Sequence, residues 1–225
     1  MQFKDPRILW KTDVGSWMWK MNRPDSDHDY YVSYIFDSRS FLLGNLHDHG
    51  HQTRNETGDE SKLEVGAVVK QLLKGNVNHL WGILSPLVEI TSEEHDVLRS
   101  IVKRNPATNC YNSIMGLAMH NLRDYFDSPT SKQKAQNLMQ ENEALYRKKL
   151  NIIARSLAFG ISIFEGKGYL FTPTNYTQRS EIDELLREFE NAYASSSLPK
   201  KPDVSAFEKF LFECRMKNLK ENLPI

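Results

Sequence analysis

The sequence predicts an α/β (α+β) protein, with a small mixed sheet and helices on one face over residues 1–104, then a helical domain over residues 105–225. Three observations carry this. Two short runs of β-branched and aromatic residues, 8–16 and 28–36, are joined through a Gly-Ser turn. The long stretches of apolar residues at helical spacing begin only after Asn105, as with Tyr146, Leu150, Ile153 and Leu157. No internal repeat or low-complexity tract interrupts either part.

In chain order, "ILWKTDVGS" reads as a strand entering a Gly turn, and "WMWKMNRP" as a loop or short helix ending at Pro24. "HDYYVSYIF" is the second strand. Residues 44–61, polar and Gly-containing, form a long loop or hairpin arm. "KLEV" is a short strand, and "GAVVKQLLKGN" a helix stopped by Gly75 and Asn76. Residues 79–103 are mixed and mostly helical. "NPATNCYNSIMGLAMHNLRDYF" is an amphipathic helix behind a Pro. The stretch from Ser128 to Gly168 is a long helix, with Ser128 or Thr130 as cap and Gly166 and Gly168 ending it. "SEIDELLREFENAYASS" is a helix with Ser180 as N-cap. "SLPKKPD" is a rigid linker, and "VSAFEKFLFECRMKN" the last helix.

Composition narrows the function classes. Lys+Arg and Asp+Glu each number 29, so no global field draws in nucleic acid or a membrane, although a basic groove can persist locally. Cys110 and Cys214 form no metal-like or redox pair and suit free thiols in a reducing compartment. No apolar run approaches the ~18 residues of a membrane span, and the N-terminus lacks a signal-peptide pattern. The expectation is a cytoplasmic protein.

The chemistry concentrates in "GSWMWKMNRPDSDHDYYV". Residues i and i+2 of a strand point the same way, so Asp27 and Asp29 are expected to share one face with His28 on the other. Two carboxylates on one face repel unless a cation lies between them. A divalent cation with oxygen ligands does this, Mg²⁺ being the usual choice beside phosphates. The Gly15–Ser16 turn brings backbone N–H groups and a hydroxyl to the same edge, suited to phosphate oxygens.

These residues resemble the signature of the DNA polymerase beta-like nucleotidyltransferase superfamily: Gly-Ser, nine residues, Ser-Asp-x-Asp, then apolar residues. Gly15, Ser16, Ser26, Asp27 and Asp29 fit without a gap. "VVKQLLKGNVN", "YRKKLNIIARSLAFGISIFEGKGYL" and "SSSLPKKPD" are similar to segments of one branch, the predicted nucleotidyltransferases associated with RNA repair. The resemblance implies a palm-like sheet with a third carboxylate on an adjacent strand. Glu64 is the candidate, with Glu60 and Asp59 as alternatives. It implies a nucleotide site at Gly15, Ser16 and Ser26, with Lys149 and Arg155 from the long helix neutralising triphosphate charge. Those two cations lie six apart, about 120° from facing each other. For each, the alternative is a surface cation whose stem covers apolar area.

The implied reaction is Mg²⁺-dependent transfer of NMP from an NTP to a hydroxyl, an RNA end being one acceptor. Asp27, Asp29 and Glu64 would hold one or two Mg²⁺ that grip the triphosphate and activate the hydroxyl. The alternative is a catalytically inactive nucleotide- or RNA-binding protein on the same fold. It is motivated by departures from the pattern. Lys20 stands where the superfamily has Gly, Trp17 and Trp19 crowd the turn with bulk that narrows the pocket or stacks on a base, and Val77 and Trp81 replace the branch's Pro and acid. Separately, His47, His49 and His51 alternate in "HDHGH", a spacing open to a transition metal or to a solvated loop.

Overall fold

The structure is a computed structural model that describes residues 6–42, 50–55, 58–127 and 143–222. The chain forms two compact units, one of Met1–Met18, Asn22–Asn105 and Lys201–Ile225, the other of Trp19–Met21 and Pro106–Lys200.

The first unit is built on β1 (Arg7–Val14), β2 (Asp29–Ile35), β3 (Gly50–Asn55), β4 (Gly58–Glu64) and β5 (Val88–Ile90). They form one mixed sheet in the order β3-β4-β2-β1-β5. β2 is central, and Tyr31, Val32, Ser33, Tyr34 and Ile35 are all buried. That continuous burial is what a strand covered on both faces requires. β1 runs antiparallel to β2, with Val14 opposite Asp29 and Asp13 opposite Tyr30. β4 runs parallel to β2, with Tyr30 beside Glu60 and Tyr34 beside Glu64. β3 and β5 pair antiparallel on the two outer sides. Of the loop or hairpin arm expected at 44–61, the described residues form most of a hairpin, and β5, hidden in the mixed 79–103 segment, was not expected.

The unit's helices are α1 (Gly15–Met18), α2 (Ser38–Leu42), α3 (Val65–Leu73), α4 (Val77–Leu84) and α5 (Glu93–Arg104). Glu64 caps α3 by accepting from the Gly66 N–H at 2.6 Å. At its other end Gly75, at φ +74°, closes the helix while Asn76 N–H donates to Gln71 O and Gly75 N–H to Leu72 O. α4 lies against β2 because Gly82 has no Cβ: one there would sit 2.4 Å from the Tyr31 ring. Thr12 Oγ1 donates to Gly82 O at 2.7 Å, and Ser85 Oγ to Asp13 O at 2.6 Å, which fixes the end of β1.

In the second unit a short 3₁₀ turn leads into α6 (Tyr111–Leu122), which runs on through a π turn to Asp127. α7 (Glu143–Phe164) and α8 (Arg179–Ser195) complete it. Tyr146, Leu150, Ile153 and Leu157 are buried on α7, as their spacing predicts. Gly160 lets α8 approach, since a Cβ there would meet Phe189 at 2.3 Å. Gly166 and Gly168, both at positive φ, follow α7. The expected caps Ser128 and Thr130 lie outside the described residues. α8 starts one residue before Ser180. Its N-cap is Gln178 rather than the expected Ser180, and Glu181 completes the cap from inside the first turn, its Oε2 accepting from the Gln178 and Thr177 N–H groups at 2.7 and 2.9 Å.

The last helix, α9 (Val204–Asn222), corrects the expected domain plan. Expected to belong with the helical residues 105–225, it packs instead on α2, α3 and α5 of the first unit. Its Asn218 Oδ1 accepts from Ser38 N–H at 2.8 Å, and its Arg215 pairs with Glu64 at 2.6 Å. Both cysteines are free and buried, and burial pushes each thiol up to about 12. Among the described residues no helix is long and apolar enough to cross a membrane.

Candidate active site

The edge where β1 ends and β2 begins brings the Gly-Ser turn and the strand acid together. Gly15 sits at φ +68°, a left-handed conformation that favours glycine. A Cβ there would lie 2.6 Å from Asp29 Oδ2, so the carboxylate rests against the bare Cα. Ser16, half-buried, follows on α1. Asp29 Oδ1 accepts from the Asp59 N–H at 3.2 Å. Burial raises the Asp29 carboxyl above its ordinary value, and the negative charges of Asp27, Asp59 and Asp13 add to this, while the Asp59 N–H works against them.

β2 begins at Asp29, so Asp27 precedes the strand and is exposed. The expectation that strand alternation places both acids on one face is corrected on this point. Other bonds hold the approach. Ser26 N–H donates to Arg23 O, and Arg23 N–H to Ser26 Oγ at 2.8 Å, so this hydroxyl serves a turn. Trp17 Nε1–H donates to Asp27 O at 3.1 Å, and its indole stacks on His28 with ring centroids 4.4 Å apart. His28 Nδ1 in turn shares a hydrogen bond with the buried Asp13 carboxylate. Burial raises the Asp13 carboxyl and His28 draws it down, with a net shift upward.

The third acid is where the structure departs most from the sequence reading. Glu64 closes β4 at the end away from Asp29. In a parallel pair equal offsets stay side by side, so Glu64 is level with Tyr34, five residues or about 16 Å along from the level of Asp29. It is buried, capping α3 and paired with Arg215. Of the two alternatives, Asp59 stands beside Asp29 and donates its N–H to that carboxylate, whereas Glu60 pairs with Lys62 at 3.4 Å.

The remaining expected residues lie in the second unit or outside the described chain. Lys149 Nζ is over the Tyr125 ring at 4.3 Å, and the Arg155 guanidinium over Trp19 at 5.5 Å. Trp19 is buried against Phe171 and Phe159, which corrects its reading as a base-stacking ring; Trp17 remains half-buried. Lys20 holds φ +56°, the sole non-glycine at positive φ among the described residues. His47 and His49 lie outside the described residues, and His51 is opposite Lys62 on β3.

The donor chemistry suits a hard dication: carboxylate oxygens only, around one acid whose ionised form its neighbours disfavour. Asp13 Oδ1, buried with no hydrogen-bond partner among the described residues, adds negative charge from behind. Among the described residues no three His, Cys, Asp or Glu side chains are closed into a ligand set. Asp13 is the part of the site that sequence reasoning passed over; Trp17 was expected at the turn, but its stacking on His28 was not. The signal for Asp13 was its place two residues before Gly15.

Among comparisons with known proteins, a family model agrees with the motif. The family model for the RNA repair pathway DNA polymerase beta family matches residues 2–139. A solved structure, the nucleotidyltransferase-like protein from Exiguobacterium sibiricum 255-15, aligns over 96% of this chain and 70% of its own, at 12% identity and a TM-score of 0.32. None of the curated proteins compared matches the chain.

Proposed function

The chain belongs to the RNA repair pathway DNA polymerase beta family, and we propose that it transfers a nucleoside monophosphate from an NTP to a hydroxyl, with an RNA end as acceptor. The observation that carries the reading is the contact of Gly15 with the Asp29 carboxylate, beside Asp59 on the neighbouring strand. It brings a phosphate-suited turn and the acids to one sheet edge. Asp27, Asp29 and Asp59 are the residues that would hold Mg²⁺, which when bound supplies charge neutralisation at the phosphates and a more acidic acceptor hydroxyl. The Gly15–Ser16 turn offers backbone N–H groups and the Ser16 hydroxyl to a phosphate. In the step proposed, the acceptor oxygen bonds the α-phosphorus, the bond from the α-phosphorus to the bridging oxygen breaks, and pyrophosphate leaves as the hydroxyl proton is lost.

The test is incubation with α-labelled NTPs, Mg²⁺ and a panel of RNA ends. Label should move onto RNA with wild type and fail to move with Asp29→Asn or Asp59→Asn. Full transfer by an Asp27→Asn, Asp29→Asn double variant would remove the site from the mechanism.

One observation favours a second reading, a binding protein without turnover: Lys20 stands where the superfamily pattern has glycine, and the Trp17 indole crowds the turn, stacked on His28. Calorimetry with each NTP, with and without Mg²⁺, separates the two. Binding without transfer across the panel would favour this reading.

A further inference from the structure

The first unit carries an open groove of about 730 Å³, well away from the acids, between α2, α3 and α9. Its two long walls are helical stripes. On α9, Glu208, Leu211, Phe212, Arg215, Met216 and Leu219 line it, a spacing of i, i+3, i+4, i+7, i+8 and i+11. On α3, Gly66, Ala67, Lys70, Gln71 and Lys74 do the same at i, i+1, i+4, i+5 and i+8. α9 already has one buried stripe, Phe207, Phe210, Cys214 and Asn218. A helix with apolar residues on two faces calls for cover on both. The second stripe lacks it: Phe212 is 66% exposed and Met216 37%, and across the groove Phe41 is 42% and Leu42 73% exposed. Large exposed side chains gathered on one surface mark an interaction site.

We propose that this groove receives an amphipathic helix of a partner protein, with acidic residues flanking its apolar stripe. Two neighbouring helices that each present a continuous stripe to a shared groove offer the ridges a third helix needs. The stripe from Glu208 to Leu219 spans about 16 Å, or three helical turns. Charge selects the occupant. Lys70 and Lys74, one turn apart on α3, form no ion pair among the described residues, and Glu208 is the single acid among the lining residues. Arg215 is held by Glu64 with its guanidinium over the Phe41 ring, so it stiffens the floor. A second copy paired groove to groove would add its own Lys70 and Lys74 to a surface that already carries this pair. A small ligand would leave the exposed rim at Leu42 and Phe212 uncovered.

The test uses two labelled helical peptides of about 14 residues, with Leu at i, i+4, i+7 and i+11 and either Glu or Lys at the flanking positions, titrated with the full chain in fluorescence anisotropy. The Glu peptide should bind at least about tenfold more tightly than the Lys peptide. Phe212→Ser, at a position too exposed to affect folding, should weaken it about tenfold. A Lys70→Glu, Lys74→Glu double variant should reverse the preference. Equal affinity for both peptides, or none for either, overturns the proposal. So does light scattering that finds a wild-type dimer which Phe212→Ser converts to monomer, since that assigns the face to a second copy.

Discussion

Gly15→Ala probes the site where the turn meets the acid. The added methyl would lie 2.6 Å from Asp29 Oδ2, 0.8 Å short of the 3.4 Å where Cβ contacts become ordinary. The carboxylate cannot retreat freely, because it also holds the Asp59 N–H at 3.2 Å, and a shift of that size breaks the bond. Losing a hydrogen bond to a charged group costs about 1.5–3 kcal/mol. Holding alanine at φ +68° adds about 1–2 kcal/mol, partly offset because alanine has fewer unfolded conformations than glycine. The expected loss is about 2–4 kcal/mol in urea denaturation followed by circular dichroism. A double-mutant cycle isolates the contact: beside Asp29→Ala only the backbone cost of Gly15→Ala should remain, so the coupling should be the contact term, about 1.5–3 kcal/mol. If Gly15→Ala costs less than about 0.5 kcal/mol, or the two changes add independently, the turn and the acid are not in contact and the site dissolves.

Four further outcomes follow from the same geometry. Because the folded Asp29 pKa is raised, the native chain holds that proton more tightly than the unfolded chain, so stability falls as pH rises from the ordinary 3.8 through the folded value. Asp29→Asn should therefore be more stable than wild type at neutral pH, lose Mn²⁺ binding in calorimetry, and match wild type in denaturation below pH 3.8. Glu64→Gln leaves Arg215 without its buried partner and should cost about 3 kcal/mol in urea denaturation while leaving Mn²⁺ affinity unchanged. Trp17→Ala removes both the bond to Asp27 O and the stacking on His28 and should weaken Mn²⁺ binding by about 1 kcal/mol, measured by electron paramagnetic resonance, with Trp17→Phe, which keeps a ring on His28 but no N–H, in between. Lys20→Gly relieves a left-handed lysine and should raise stability by up to about 1 kcal/mol, read as a shift of the urea midpoint.

The sequence by itself determined the turn, the acids and the class of fold. Gly15 and Ser16 directly follow β1, and Asp27 and Asp29 stand at the start of the next strand, which pairs antiparallel with β1, so their meeting follows from neighbouring segments, as the α7 stripe from Tyr146 to Leu157 follows from helical spacing. Only the tertiary structure decided the third acid. β2 and β4 pair in parallel across a connection that contains α2 and β3, and no nearby residue announces that register. Glu64 ended a strand, as a site residue would, but at the far end, while Asp59 looked like part of a polar loop. The same limit applied to Trp17 and Trp19, two residues apart, one stacked on His28 and the other buried with Phe171, and to α9, which returns to the first unit. Hydrophobic spacing tells a residue which face to bury; the partner that buries it is chosen by long-range packing, where distant segments compete for the same surface.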